Sequence, residues 1–262
     1  VNQAILTTPA AGAATVGGSV VLEAGGAITL ATSGTITTTG AANTTGAGGV
    51  GGEIFINHTN VATGNITIGK NITAAGGAAT VASNNGGAGG VVTISNADGA
   101  ILLTAGAIDV SGGAGTAAQG NAGTVQLKTA GATGAITQTG DAVGTAILAK
   151  GGTTGALSVV SATGDVTLTN DTNDVALVAA NIATAGKFFK YTDANALKID
   201  TVTKVGTLSA PSTAVALPAA DTVGIRTLGD TGGKVEVNAL SAAGTLDVNQ
   251  AILTTPAAGA AT

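Results

Sequence analysis

Apolar residues along this chain come in short pairs that flank a single residue, and glycine separates one pair from the next. Val20/Leu22, Ile28/Leu30, Ile54/Ile56, Ile66/Ile68, Val92/Ile94, Val125/Leu127, Val166/Leu168, Val235/Val237 and Leu246/Val248 carry the pattern. The residue inside the pair is polar in seven of these nine cases, Val21 and Phe55 being the exceptions, so one face is buried and the other wetted. Period-two alternation in β-branched residues predicts strands. No stretch carries a helical i, i+3, i+4 stripe of useful length, and glycine interrupts every candidate. The chain is expected to be all-β.

Glycine clusters such as Gly48-Gly49-Val50-Gly51-Gly52, Gly86-Gly87-Ala88-Gly89-Gly90 and Gly112-Gly113-Ala114-Gly115 read as sharp corners between strands. Strand starts fall at 20, 36, 54, 72, 92, 108, 125, 147 and 166, a nearly even spacing. It predicts a right-handed parallel β-helix, a solenoid with about 18–20 residues per coil, in which each strand bonds to its equivalent one coil away. The chain would then hold roughly 13 coils and extend roughly 60 Å at ~4.8 Å per coil.

Residues 1–15, VNQAILTTPAAGAAT, recur letter for letter as residues 248–262. An internal period is the mark of an array whose neighbours share a core. We therefore read residues 1–262 as a single solenoid segment: one tandem repeat, residues 1–247, followed by the opening of the next, residues 248–262. The shared segment is expected at the seam between repeats, with Leu246, Val248, Ile252 and Leu253 as core residues across it.

Composition narrows the classes that remain. The chain has 43 glycines, no Cys, Met or Trp, and only four aromatics, which suits a narrow tube filled by small branched side chains better than a compact globule. A net charge of −5 argues against nucleic acid, which requires basic stripes. No run approaches the ~18 apolar residues of a membrane helix, so membrane insertion is not expected. The segments GGSVVLEAGGAITLATSGTITTTGA (17–41) and GGAGGVVTISNADGAILLTAGAIDVSGGAG (86–115) resemble the repeats of filamentous-haemagglutinin-like giant bacterial surface proteins. The resemblance covers residues 17–170 and implies a secreted, cell-surface β-helical shaft with a role in adhesion or matrix; it brings no catalytic motif.

Residues 181–234 break the pattern: glycine thins, six of the nine basic residues gather there, and three of the four aromatics fall in Lys187-Phe188-Phe189-Lys190-Tyr191. Two readings stand. Either the coils are less regular there, with Phe188 or Phe189 filling a wider core, or the segment protrudes and Phe188, Phe189 and Tyr191 make lateral contacts. His58 is the one histidine, and without Cys it offers no zinc or iron ligand set; it is expected at a corner or facing outward. The acidic group with the best claim to calcium is Asp165, Asp171 and Asp174, although Asx residues in turns ordinarily bond their own backbone. The chain is not expected to be an enzyme and no cofactor is assigned. Its expected function is a structural extracellular fibre or stalk whose partner is itself, by end-to-end stacking and lateral bundling. Two alternatives remain open: an adhesin shaft whose side loops bind a glycan or cell-surface ligand, and a β-helical polysaccharide-active enzyme.

Overall fold

In the computed structural model the described residues are 1–31, 33–60, 64–139, 144–152, 154–208, 220–228, 233–241 and 245–255. The chain is all-β, a parallel β-helix without a helix among those residues. Three parallel sheets run along its axis. Sheet 1 begins with Val20–Ala24, Glu53–His58, Val91–Asn96, Thr124–Thr129, Ala156–Ser161 and Leu177–Ile182. Sheet 2 stacks Ile28–Leu30, Ile66–Ile68, Ile101–Leu103, Ile136–Gln138, Val166–Leu168, Phe189–Asp193 and Val235–Ala239. Sheet 3 stacks the short strands Ile5–Leu6, Ile36–Thr37, Ile72–Thr73, Ile108–Asp109 and Ile147–Leu148.

Alternation decides which side chains fill the tube. Ile54 lies on Val20, Val92 on Ile54, Val125 on Val92 and Leu157 on Val125. Ile36, Ile72, Ile108 and Ile147 form a matching column from sheet 3. Most of these residues expose no surface at all. Fully burying each such side chain contributes about 1.5–3 kcal/mol, and like-on-like stacking lets one residue type fit at every level.

The coil is longer than the sequence spacing predicted. Val20 pairs with Ile54, Ile54 with Val92, Val92 with Val125 and Val125 with Leu157, nearly double the expected step each time. The expected spacing was half a coil, because the chosen starts alternate between sheet 1 (20, 54, 92, 125) and sheet 3 (36, 72, 108, 147). Both faces carry the same apolar alternation, so periodicity alone could not separate them. Among the described residues seven strands stack in sheet 2, against the expected 13 coils. Beyond Leu157 the steps shorten, to Val178 and then to Ile199, because sheet 3 has ended.

The extra length of the early coils is a glycine-rich wing between sheets 3 and 1. Each coil sends one limb out and one back, and the limbs interleave along the axis. Ala41 N donates to Thr15 O, Gly49 N to Ala41 O, Gly77 N to Gly49 O, Gly87 N to Gly77 O, Gly113 N to Gly87 O and Gly120 N to Gly113 O, all within 2.7–2.9 Å. Within a returning limb Gly48 and Gly51 bond along the axis and Gly49 and Gly52 bond across, a period of three like that of polyproline II chains. A Cβ on Gly49, Gly77, Gly87 or Gly113 would meet backbone oxygen of a neighbouring limb closer than 3.0 Å. Glycine is there because limbs cannot approach this closely with side chains.

Gly87→Ala should therefore lower stability by about 1–3 kcal/mol through overpacking, whereas Gly26→Ala, with nothing within 4 Å, should be near neutral. Urea midpoints of the two variants check this; equal midpoints would mean the wing is loosely packed.

Candidate functional site: the ends of the stack and the axial strap

The first and last rungs carry the shared sequence. At the start, Ile5–Leu6 lies on Ile36–Thr37 of sheet 3, and Val1 exchanges hydrogen bonds with Thr29 and Ala31 beside sheet 2. At the other end the described part of the second copy, residues 248–255, belongs to sheet 1. Leu246–Val248 stacks on Leu197–Ile199, and Ile252–Thr255 stacks on Ile225–Leu228. Those two lower strands divide a single rung between them, since both lie on Leu177–Ile182.

Of the residues expected at the seam, Leu246 pairs with buried Leu197, Val248 with buried Ile199 and Ile252 with buried Ile225. All three take inward positions, yet they are 40–54% exposed because nothing lies above them. Leu253 is a correction. It pairs with exposed Arg226 and therefore faces outward. Ile5, Leu22, Ala24, Val235, Val237 and Ala239 are half-buried against the core at the two ends.

The aromatic run is a second correction. Phe189 and Tyr191 are fully buried with ring centroids 6.4 Å apart, so neither is available for lateral contact. Phe189 continues the column of Ile136 and Val166, and Tyr191 lies on Leu168. Phe188 is half-buried, with the Lys190 ammonium 5.1 Å from its ring centroid.

Below Tyr191 a buried polar network closes the end of sheet 3. Asn173 Oδ1 accepts from Ile147 N and from Gln138 Nε2, and Asn173 Nδ2 donates to Leu168 O and Thr192 O. Asp193 accepts from Tyr191 Oη, Val175 N and Asn195 N. Burial pushes the Asp193 carboxyl up to about 6 and, with help from Asp193, pushes the Tyr191 phenol well above its ordinary range.

The three candidate calcium ligands go elsewhere. Asp174 pairs with Lys150 at 3.7 Å and accepts from Asn195 Nδ2; Asp165 accepts from Phe188 N and lies 3.8 Å from Lys187. They and Asp171 do not converge, and no group of three potential metal ligands occurs among the described residues. His58, expected at a corner or facing outward, is the last residue of the strand Glu53–His58 and is buried, with Nδ1 2.8 Å from Asn96 Oδ1.

A feature that sequence reading missed crosses the outer face of sheet 1. Between Leu197–Ile199 and Ile225–Leu228, residues 200–208 and 220–224 begin and end as the antiparallel pair Thr201–Val202 and Thr222–Val223, and residues 203–208 run back along the axis as a strap. Val202 packs on Ala156 and Ala179, Val205 O accepts from Gln126 Nε2, and Thr207 N and Leu208 N donate to Glu53 Oε2 at 2.8 and 3.0 Å. The strap therefore spans rungs from Leu177–Ile182 back to Glu53–His58. It explains why outward-facing Phe55, Thr93, Gln126 and Ser158 are buried. Where the strap returns, a cavity of about 400 Å³ is lined by Lys128, Asn181, Asp221 and Arg226. Burial lowers the pKa of the Lys128 ammonium. Pro211 and Pro218 lie outside the described residues.

No family model, no curated protein and no solved structure matches this chain.

Glu53→Ala should release the strap while the solenoid stays folded. Amide exchange at Thr207 and Leu208 should rise about tenfold, taking the lower range for charge-assisted hydrogen bonds at an exposed site; unchanged exchange would show that the carboxylate does not hold it. Asp193 gives a pH signature. Its folded value lies above the ordinary ~3.9, so the stability its protonation contributes is complete below that value and is lost as pH rises through about 6. The stability of the native chain relative to Asp193→Asn should rise between pH 7 and pH 4, as read from paired denaturation curves; a constant difference would contradict the assignment.

Proposed function

We propose that this chain is a repeating segment of an extracellular structural shaft, in which identical units join end to end through a continuous β-helix. One observation carries the reading. The shared sequence contributes strands at both ends of the stack, Ile5–Leu6 in its first copy and Val248 and Ile252–Thr255 in its second, and the inward apolar residues of the last rung are left open to solvent. An exposed parallel edge backed by apolar side chains invites another strand, and a following copy of the unit supplies one of matching sequence. The resemblance of residues 17–170 to surface-exoprotein repeats supports the same setting. The mechanism is mechanical: tension along the shaft is shared among the backbone hydrogen bonds of the stacked sheets, which lie parallel to the axis.

A second reading, an adhesin shaft, is favoured by the cavity beside the strap. Lys128, Asn181, Asp221 and Arg226 offer both charges and an amide to a sugar or an anionic group. It predicts ligand binding that is lost with Arg226→Ala while the fold persists.

Electron microscopy of the tandem protein tests the shaft. Seven to eight rungs per unit at ~4.8 Å predict straight filaments with an axial repeat of about 35–40 Å. Discrete particles without axial order would overturn the proposal.

A further inference from the structure

The shared strand has two edges, and its two copies use opposite ones. In the first copy Ile5 N donates to Thr35 O and Thr7 N donates to Thr37 O, so alternate residues 5 and 7 face the rung that follows. In the second copy Ile225 N donates to Ala251 O, so residues 251 and 253 face the rung before and leave Ile252 and Thr254, the equivalents of Ile5 and Thr7, facing away. The same holds one step earlier. Asn249 N donates to Ile199 O on the preceding rung, whereas Val1, the equivalent of Val248, bonds to Thr29 and Ala31 on the following one. Facing agrees as well: Ile5 and Ile252 are both inward on buried isoleucines, Ile36 and Ile225, while Leu6 and Leu253 both lie on outward residues.

We propose that one copy of this segment makes both sets of bonds at once, and that the joint turns the stack by one face. The inference rests on the tandem reading above and specifies its geometry. The divided sheet 1 of one unit, ending in Leu246–Val248 and Ile252–Thr255, continues into sheets 2 and 3 of the next, through Ile28–Leu30 and Ile36–Thr37. The remaining ends then match. Val235–Ala239 ends sheet 2 and Val20–Ala24 begins sheet 1, and the two strands are equal in length. Phe189 N donates to Lys234 O and Leu240 N to Asp193 O, which leaves Val235, Val237 and Ala239 facing the open edge. Thr59 N donates to Ala24 O, which leaves Val21 and Glu23 facing the open edge of the other strand. Register with inward side chains aligned places Val20 of the next unit on Val235, Leu22 on Val237 and Ala24 on Ala239; all of these but Val20 are left half-buried in the single unit. The joint converts the two-sheet cross-section at the end of a unit back into the three-sheet cross-section at its start. The glycine wing then leaves the shaft from a different side in each successive unit.

The absence of Cys makes the test direct. In a protein of two full periods followed by the fifteen shared residues, Glu236→Cys in the first unit is combined with Val21→Cys in the second. The joint sets these outward positions on adjacent strands ~4.8 Å apart, inside the range of about 4.4–6.8 Å that a disulfide bridges. A disulfide should form nearly completely under mild oxidation. A companion protein carries Glu236→Cys and Asp247→Cys in the first unit; these should stay reduced, because Asp247 lies on Lys198 in a different sheet. If instead the second pair links and the first does not, sheet 2 continues into itself and the turned joint is wrong, although the shaft survives. If neither links, images of the same protein separate the cases: a continuous rod overturns the joint alone, and two detached bodies overturn joint and shaft together.

Discussion

The parallel backbone ladder along the axis is the constraint from which the rest of this structure follows. Every rung must lie in register on the one before, so the residue at a given position meets its own equivalent at each level. Columns such as Ile36, Ile72, Ile108 and Ile147 are the result. Core width is set by one branched aliphatic side chain from each sheet, and large aromatics do not enter the core until the cross-section changes. They enter where it does: sheet 3 stops, the coil shortens to the step from Leu157 to Val178, and Phe189 and Tyr191 fill the space beside the Gln138, Asn173 and Asp193 network. A network of this kind is stable only when its members are satisfied, and Asn173 shows how: each side-chain amide atom serves a strand end that the missing sheet would otherwise leave unpaired.

The glycine wing obeys the same ladder without strands. Its limbs bond along the axis like the sheets, but they also bond across to one another, and that second direction is available only where no Cβ intervenes. Glycine loses more backbone entropy on folding than any other residue, so a glycine-rich wing is costly to order in isolation. Here the cost is offset by a hydrogen-bond network that closes in two dimensions. This accounts for why the glycines cluster in the early, long coils and thin out once the wing has ended.

Alternation of Val, Ile and Leu with Thr and glycine made the strands and their parallel stacking legible before any coordinates. It could not reveal which sheet a strand joins, because sheets 1 and 3 carry the same pattern; the coil was therefore halved. Leu253 looked like core since it is leucine, yet in Ala251-Ile252-Leu253 only one of two adjacent apolar residues can face inward, and register with Ile225 chose Ile252. Phe189 and Tyr191 flank Lys190 much as the isoleucines of sheet 2 flank a threonine, a signal for burial present in the chain but outweighed by its charge. The strap left less trace. Its hold on sheet 1 rests on Glu53, Gln126 and backbone atoms far away along the chain, and no local pattern encodes such a contact.

In the proposed joint, the duplicated segment lets a solenoid of uneven cross-section repeat. If every sheet simply continued into itself, the two-sheet end of one unit would have to meet a three-sheet start, and one ladder would begin without support. A strand whose two edges serve different sheets removes that mismatch. Val-Asn-Gln-Ala-Ile-Leu has the composition for it: Val and Ile keep their inward positions in both settings, and the three residues between them bend at a sheet corner in one copy and bridge the divided rung in the other. Conservation of facing, strand sense and hydrogen-bond parity across both ends is more than stacking alone requires. A segment placed at an end merely as a cap would need only one competent edge.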